Sequence, residues 1–190
     1  MVSKVASHEL DPAEVNEQRL PLVRDLFRTI FPKEAQDWNF ADDCFKQSLT
    51  TVNLAYWIYS LKGEPVGMSG MYVEDADLTS AWLGWFGVLP QYRKMGIGEA
   101  ILKWHEHMVG QSVFHCKDEK LIAGRGFTHS RLYTDVDNMA AIRFYKKHGY
   151  IQEEYRGPVP DEVSKTGKVL LFSKALQGKF EPWGDRHLDF

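Results

Sequence analysis

The sequence predicts a mixed α/β fold in a single domain, and three observations carry that prediction. Residues 53–73 hold two runs rich in aromatic and β-branched residues, NLAYWIYSL and VGMSGMYV, on either side of the turn Lys62-Gly63-Glu64-Pro65, which reads as a β-hairpin. Residues 80–109 pass from an apolar strand through a basic glycine turn into a segment with helical spacing. Ahead of both, Val15, Leu22, Val23, Leu26, Phe27 and Ile30 recur at the spacing of an amphipathic helix. A chain of 190 residues, 44% hydrophobic, suits one domain over 1–190.

In chain order, Val5 to Leu10 is a candidate first strand, and Asp11-Pro12 a turn leading to a helix. The helix is expected from Val15 to Phe31, interrupted at Pro21 and stopped by Pro32. Asp37 to Phe40 reads as a turn and Asp42 to Leu49 as a second short helix. Strands are expected at Asn53 to Leu61 and Val66 to Val73, with Gly67 and Gly70 marking a bend or a close backbone approach. Glu74 to Asp77 is an acidic turn, and Ser80 to Val88 is the strand feeding the glycine turn. A helix over about 96–109 carries Ile97, Ile101, Leu102, Trp104, Met108 and Val109. Gln111 to Phe127 reads as an extended surface loop or helix extension. Ser130 to Thr134 is the next strand, Asn138 to His148 a helix with Gly149 as its C-terminal cap, and Tyr150 to Tyr155 a strand. Pro158 and Pro160 break the chain before a last strand from Lys168 to Ser173. The aromatic tail 177–190, with Phe180, Trp183 and Phe190, is expected to pack on the domain or on a partner subunit, which makes a homodimer a candidate assembly.

The chemistry concentrates at residues 93–98, Arg93-Lys94-Met95-Gly96-Ile97-Gly98. A strand, a basic glycine turn and a helix start present backbone N–H groups and the positive end of the helix dipole, a site for an anion such as a phosphate. The dinucleotide fingerprint lacks its third glycine here, and no P-loop string occurs. Glycines at a helix start also serve plain tight turns. What remains resembles the R/Q-x-x-G-x-G/A motif of the GCN5-related N-acetyltransferase (GNAT) family. A second stretch agrees: against the family pattern N-x-x-A-x-x-x-Y-x-x-x-G-F, residues 138–150 offer Asn138, Ala141, Tyr145, Gly149 and Tyr150, with tyrosine for phenylalanine at the end. The resemblance covers about residues 50–175 and only loosely the first fifty.

The resemblance implies a GNAT-like fold: a central, mostly antiparallel sheet of six to seven strands with helices on both faces. It implies transfer of an acetyl group from acetyl-CoA, without a metal, to a primary amine. The pyrophosphate is expected on the amides of Arg93, Lys94, Met95, Gly96, Ile97, Gly98 and Glu99, and the pantetheine arm beside Phe86, Gly87 and Val88. Asn138, Ala141 and Tyr145 complete the cofactor side, although Asn138 is equally explained as a helix cap. Tyr145 is the candidate proton donor to the leaving thiolate. The strand before the glycine turn holds no acid, so the general base is sought at Asp135, with Glu74, Asp77, His129 or a water chain as alternatives. Phe31, Trp38, Phe40 and Phe45 are candidates for the acceptor pocket, against plain aromatic packing. The acceptor is expected to be a small-molecule amine. A protein amine, a non-catalytic coenzyme-A-binding module and a site for another nucleotide are the alternatives.

A formal charge of −3 and a pI near 6.2 argue against a broad nucleic-acid-binding surface. No apolar run approaches a membrane span, the N-terminus has no apolar signal region, and Cys44 and Cys116 lack metal or redox spacing, so a cytoplasmic protein without a membrane partner is expected. His105 and His107, with His115 and Cys116, are read as surface-polar residues, not metal ligands, because positions two apart on a helix face apart.

Overall fold

In the computed structural model, residues 5–32, 38–51, 53–74, 77, 79–111, 126–153 and 168–183 are described. The 112–125 part of the expected extended loop, with His115 and Cys116, lies outside these residues, as do residues 154–167 and 184–190. The strands are β1 (Leu10–Glu14), β2 (Leu54–Leu61), β3 (Glu64–Tyr72), β4 (Ser80–Val88), β5 (His129–Asp135), β6 (Ile151–Glu153) and β7 (Val169–Ala175). The helices are α1 (Leu20–Ile30), α2 (Trp38–Gln47), α3 (Ile97–Gln111) and α4 (Met139–Lys147). The seven strands form one sheet in the order β1-β2-β3-β4-β5-β7-β6. Every neighbouring pair is antiparallel except β4 and β5.

The two faces follow from alternation along the strands. On β2, Ala55, Trp57 and Tyr59 join Ile97, Ala100, Ile101 and Val109 of α3 in one buried cluster. Tyr56 and Ile58 point the other way, to Val23, Leu26, Phe27 and Ile30 of α1 and Ala41 and Phe45 of α2. Trp104 seals the α3 face, its ring 5.3 Å from both Trp57 and Tyr59. On the β5–β7 side, Leu102 of α3 meets Leu132, Phe172, and Ile142 and Tyr145 of α4. Thus α3 and α4 cover one face, and α1 and α2 cover the other over β2–β4.

The N-terminal region departs from the sequence expectation. Residues 7–9 form a single 3-10 turn, and the first strand is β1, which contains Asp11-Pro12. Because β1 pairs only with β2, at the sheet edge, Pro12 needs no second ladder partner. Pro21 does not interrupt a helix begun at Val15; it lies in the first turn of α1, where its missing N–H is no loss. The second helix begins at Trp38, so the expected turn at 37–40 is partly helical. The described tail packs on its own domain: the Trp183 ring stands edge-on to Trp82 at 5.0 Å.

Candidate active site

Strands β4 and β5 pair only through Ser80↔His129, Ala81↔Ser130 and Trp82↔Arg131. Beyond these, β4 stays with β3 as far as Gly67↔Val88, while β5 stays with β7 as far as Asp135↔Val169. The sheet therefore opens after Trp82 and Arg131. On β4 the backbone polar groups facing that opening are set by register. Leu89 N donates to Val66 O at 2.9 Å, which makes Gly67↔Val88 a pair without ladder hydrogen bonds, so the N–H and C=O of Val88 face away from β3.

A β-bulge divides the residues of this strand. Met68 pairs with Gly87 and Gly70 with Gly84, so Trp85 and Phe86 together oppose Ser69. Before the bulge, Leu83 faces α3 and α4; after it, Phe86 and Val88 do so, although the count from Leu83 has changed parity. Phe86 lies 5.8 Å from Phe144 and 6.3 Å from Tyr145, ring to ring. Trp85, with φ of 33°, turns to the α1–α2 side and packs 4.9 Å from Phe27 and 5.5 Å from Phe31. Gly87 is required: a Cβ there would collide with the side chain of Ile30.

After β4 the chain makes a 3-10 turn at Pro90–Tyr92 and enters α3. Lys94 (φ 66°) and Gly96 (φ 85°) adopt left-handed conformations, which curl successive amides into a concave strip suited to an anion. Arg93 N donates to Pro90 O and Ala100 N to Gly96 O. Among the described residues, the amides of Lys94, Met95, Gly96, Ile97 and Gly98 between them donate to no protein acceptor. Lys94 is exposed, Gly96 and Gly98 are half-buried, and only the Ile97 side chain is driven into the core. A Cβ on Gly98 would meet Phe144 and Phe86 only at 3.7 Å, so the approach to the helix start is not crowded. Arg93 is partly committed, its Nε donating to Val88 O at 3.1 Å and Nη2 to Ile30 O at 3.4 Å. Glu99 pairs with Lys103 at 2.9 Å, an ordinary i,i+4 helix contact. Met95 O accepts from Val5 N, tying the N-terminal segment to this turn.

Tyr145 projects from α4 into the face of the opening lined by Leu83 and Phe86. Its ring lies 5.7 Å from Tyr150 and 6.0 Å from Phe172, and burial raises its pKa, so the phenol keeps its proton at neutral pH. Asn138 caps α4, its Oδ1 accepting from Ala141 N at 3.2 Å, and Ala141 packs beside Tyr145. Asp135 lies on the other face. Ser130 and Leu132 face α3, whereas Arg131 and Tyr133 face the tail, so alternation puts Asp135 with the latter. Its Oδ1 accepts from Asp137 N at 2.9 Å. Tyr145 and Asp135 thus approach the opening from opposite sides.

Two of the other base candidates, Asp77 and His129, are structurally committed. Asp77 is buried and bonded to Arg131 at 3.2 Å. Burial raises its pKa, but hydrogen bonds from Ser80 and Thr79 and the Arg131 charge hold it below the usual carboxylate range. His129 is buried, and its Nε2 accepts from Glu181 N at 3.0 Å, which requires an unprotonated Nε2; burial and Arg131 lower its pKa. His105 is not surface-polar: it is buried, bonded to Ser130 Oγ at 3.2 Å, and its pKa is lowered by burial to about 3. Ser130 Oγ in turn meets the Tyr150 hydroxyl at 2.8 Å, so the tyrosine that replaces the motif's phenylalanine is held by a buried polar chain. Of the acceptor-pocket candidates, Phe45 is fully buried in the core, the Trp38 side chain lies outside the described residues, and Phe31 and Phe40 both reach Trp85.

Sequence reasoning missed Trp85, whose only signal is a glycine on either side, at 84 and one residue beyond Phe86 at 87. It also missed Arg131, which bonds Asp77, Ser80, Ser173, Glu153 and Glu181 O.

Comparison with known proteins bears on this geometry. The family model described as the acetyltransferase (GNAT) family matches residues 20–150. An aminoalkylphosphonate N-acetyltransferase of Salmonella typhimurium is 28% identical over 127 residues, 65% of this chain and 74% of that one. The ribosomal-protein-S18-alanine N-acetyltransferase of Escherichia coli superposes with a TM-score of 0.63 at 16% identity, covering 90% of this chain and 97% of that one. Arabidopsis thaliana Naa50, solved with the bisubstrate analogue CoA-Ac-MVNAL, superposes with a TM-score of 0.62 at 19% identity, covering 88% and 99%.

Proposed function

The chain belongs to the GNAT acetyltransferase family and is an acetyl-CoA-dependent N-acetyltransferase; from that premise we propose that its acceptor is the primary amine of a small molecule, acetylated by direct attack on the thioester at the opening between β4 and β5. The observation that carries this reading is the alignment of two unused sets of donors. The N–H of Val88 faces the opening, and the amides of Lys94 to Gly98 follow it at the start of α3.

The diphosphate is held by the amides of Lys94 to Gly98 and the Lys94 charge, with the α3 dipole adding to the attraction. The peptide-like pantetheine runs beside Phe86, Gly87 and Val88 as an added strand, and the Val88 N–H is available to polarise the thioester carbonyl. The amine nitrogen attacks the carbonyl carbon, the C–N bond forms, and the C–S bond breaks. Tyr145 serves the departing sulfur. Because burial raises its pKa while a free thiol titrates near about 8.5, the phenol acts first as a hydrogen-bond donor to the developing thiolate. The ammonium proton leaves toward Asp135, on the opposite side of β5, and then to solvent. An amine arriving on one face and a thiolate departing on the other need no shared group.

The aminoalkylphosphonate relative favours a small amine over a protein terminus. The test is thiol release from acetyl-CoA across a panel of small amines and N-terminal peptides. Turnover of small amines is expected; turnover confined to peptides overturns the small-molecule reading.

A further inference from the structure

We infer that the acceptor is an amine carried on an aromatic or similarly bulky apolar body, seated against Trp85, Phe31 and Phe40; this rests on the reading above and narrows its substrate class. The β4 bulge sends two consecutive residues to opposite faces, Phe86 toward Tyr145 and Trp85 toward α1 and α2. The indole therefore stands one peptide unit from the strand segment assigned to the thioester arm, on the side from which an amine approaches. A positive φ of 33° is strained for so bulky a residue, and such strain persists only where the surroundings enforce it. Here Phe27 and Phe31 enforce it, through edge-on contacts at 4.9 and 5.5 Å.

The corner is not closed as a core would be. Phe27 and Phe45 are fully buried, but Phe31 and Trp85 are only half-buried and Phe40, 6.5 Å from the indole, is 39% exposed. Charge then selects the occupant. On α1 and α2, Asp42 is matched by Arg24 at 2.6 Å and Lys46 at 2.6 Å, and Asp25 by Arg28 at 3.5 Å. The described charges on α1 and α2 are thus paired with one another, which offers little to a polycationic chain. Three aromatic rings offer dispersion and edge-to-face contact to an apolar body.

The experiment compares kcat/KM for 2-phenylethylamine, n-butylamine, 2-aminoethylphosphonate and spermidine, in the intact protein and in Phe40→Ala and Phe31→Leu. The aromatic amine is expected to exceed n-butylamine by at least about tenfold, the scale on which apolar pockets discriminate. That preference is expected to collapse toward unity in Phe40→Ala, whose side chain is exposed enough for the variant to fold. Preference for the phosphonate or spermidine, or an unchanged aryl-to-butyl ratio in both variants, overturns the aromatic seat while leaving the acetyltransferase reading intact. Silence with every amine overturns the seat as well, and silence without acetyl-CoA binding overturns the reading beneath it.

Discussion

The seam between β4 and β5 has two ends built in opposite ways. At the closed end, Arg131 is 1% exposed and its guanidinium is bonded on all sides by Asp77, Ser80, Glu153, Ser173 and the Glu181 carbonyl. The tail is drawn into the same network, with Trp183 N donating to Glu153 at 2.6 Å and Trp183 lying edge-on to Trp82. At the open end, five consecutive amides have no protein acceptor among the described residues. One end engages the buried Arg131 guanidinium entirely with internal partners, at the last β4–β5 pair before the sheet divides. The other leaves donors for a ligand, because any internal partner would compete with it. Buried charge holds the closed end together, and unused backbone at the open end is the site we propose.

The largest effect expected at the closed end is on stability. Arg131→Leu leaves Asp77 and Glu153 without their buried cation and should cost about 3–5 kcal/mol, seen as a loss in urea midpoint; a shift typical of surface substitutions would mean the network is not what pins the seam. Acid should act through His105 next. Its folded pKa of about 3 lies below the unfolded value near about 6.5, so the unfolded chain binds more protons. Stability is then fully present above about pH 6.5 and falls by a few kcal/mol on the way toward pH 3. Replacing His105 with Gln should flatten that part of the urea-midpoint profile, and an identical slope would assign it elsewhere. At the open end, Tyr145→Phe should lower kcat by about 100-fold with little change in acetyl-CoA affinity; equal turnover would remove the tyrosine from the reaction. The smallest effect belongs to Lys94→Ala, which should weaken acetyl-CoA binding by about tenfold in calorimetry and reduce its salt dependence; a variant with the parent's salt dependence would free Lys94 from any phosphate contact.

The open end was largely legible in the sequence, and the closed end was not, for a physical reason. Helix starts, glycine turns and strand runs are local, so β2–β4, α3 and α4 lie within about two residues of their expected bounds. The amide strip at 94–98 is likewise a property of contiguous backbone. Arg131 gathers partners from 77, 80, 153, 173 and 181, which no window on the sequence brings together. Prolines misled where their tolerated positions resemble their forbidden ones: Pro12 at a sheet edge and Pro21 in a first helical turn both read as breaks. The bulge at Trp85 has no signature beyond its neighbouring glycines, yet it decides which aromatic faces Tyr145 and which faces α1. His105 looked polar on its helix because its buried partner, Ser130, is 25 residues away.

The most direct test of the amide strip is a ¹⁵N-NMR titration of the full chain with coenzyme A and, separately, with pantetheine, which lacks the diphosphate. The largest amide shifts with coenzyme A are expected at Lys94 to Gly98, and pantetheine should leave those five nearly unmoved while shifting Val88. Saturation with coenzyme A that leaves the amides of 94–98 in place would contradict the assignment.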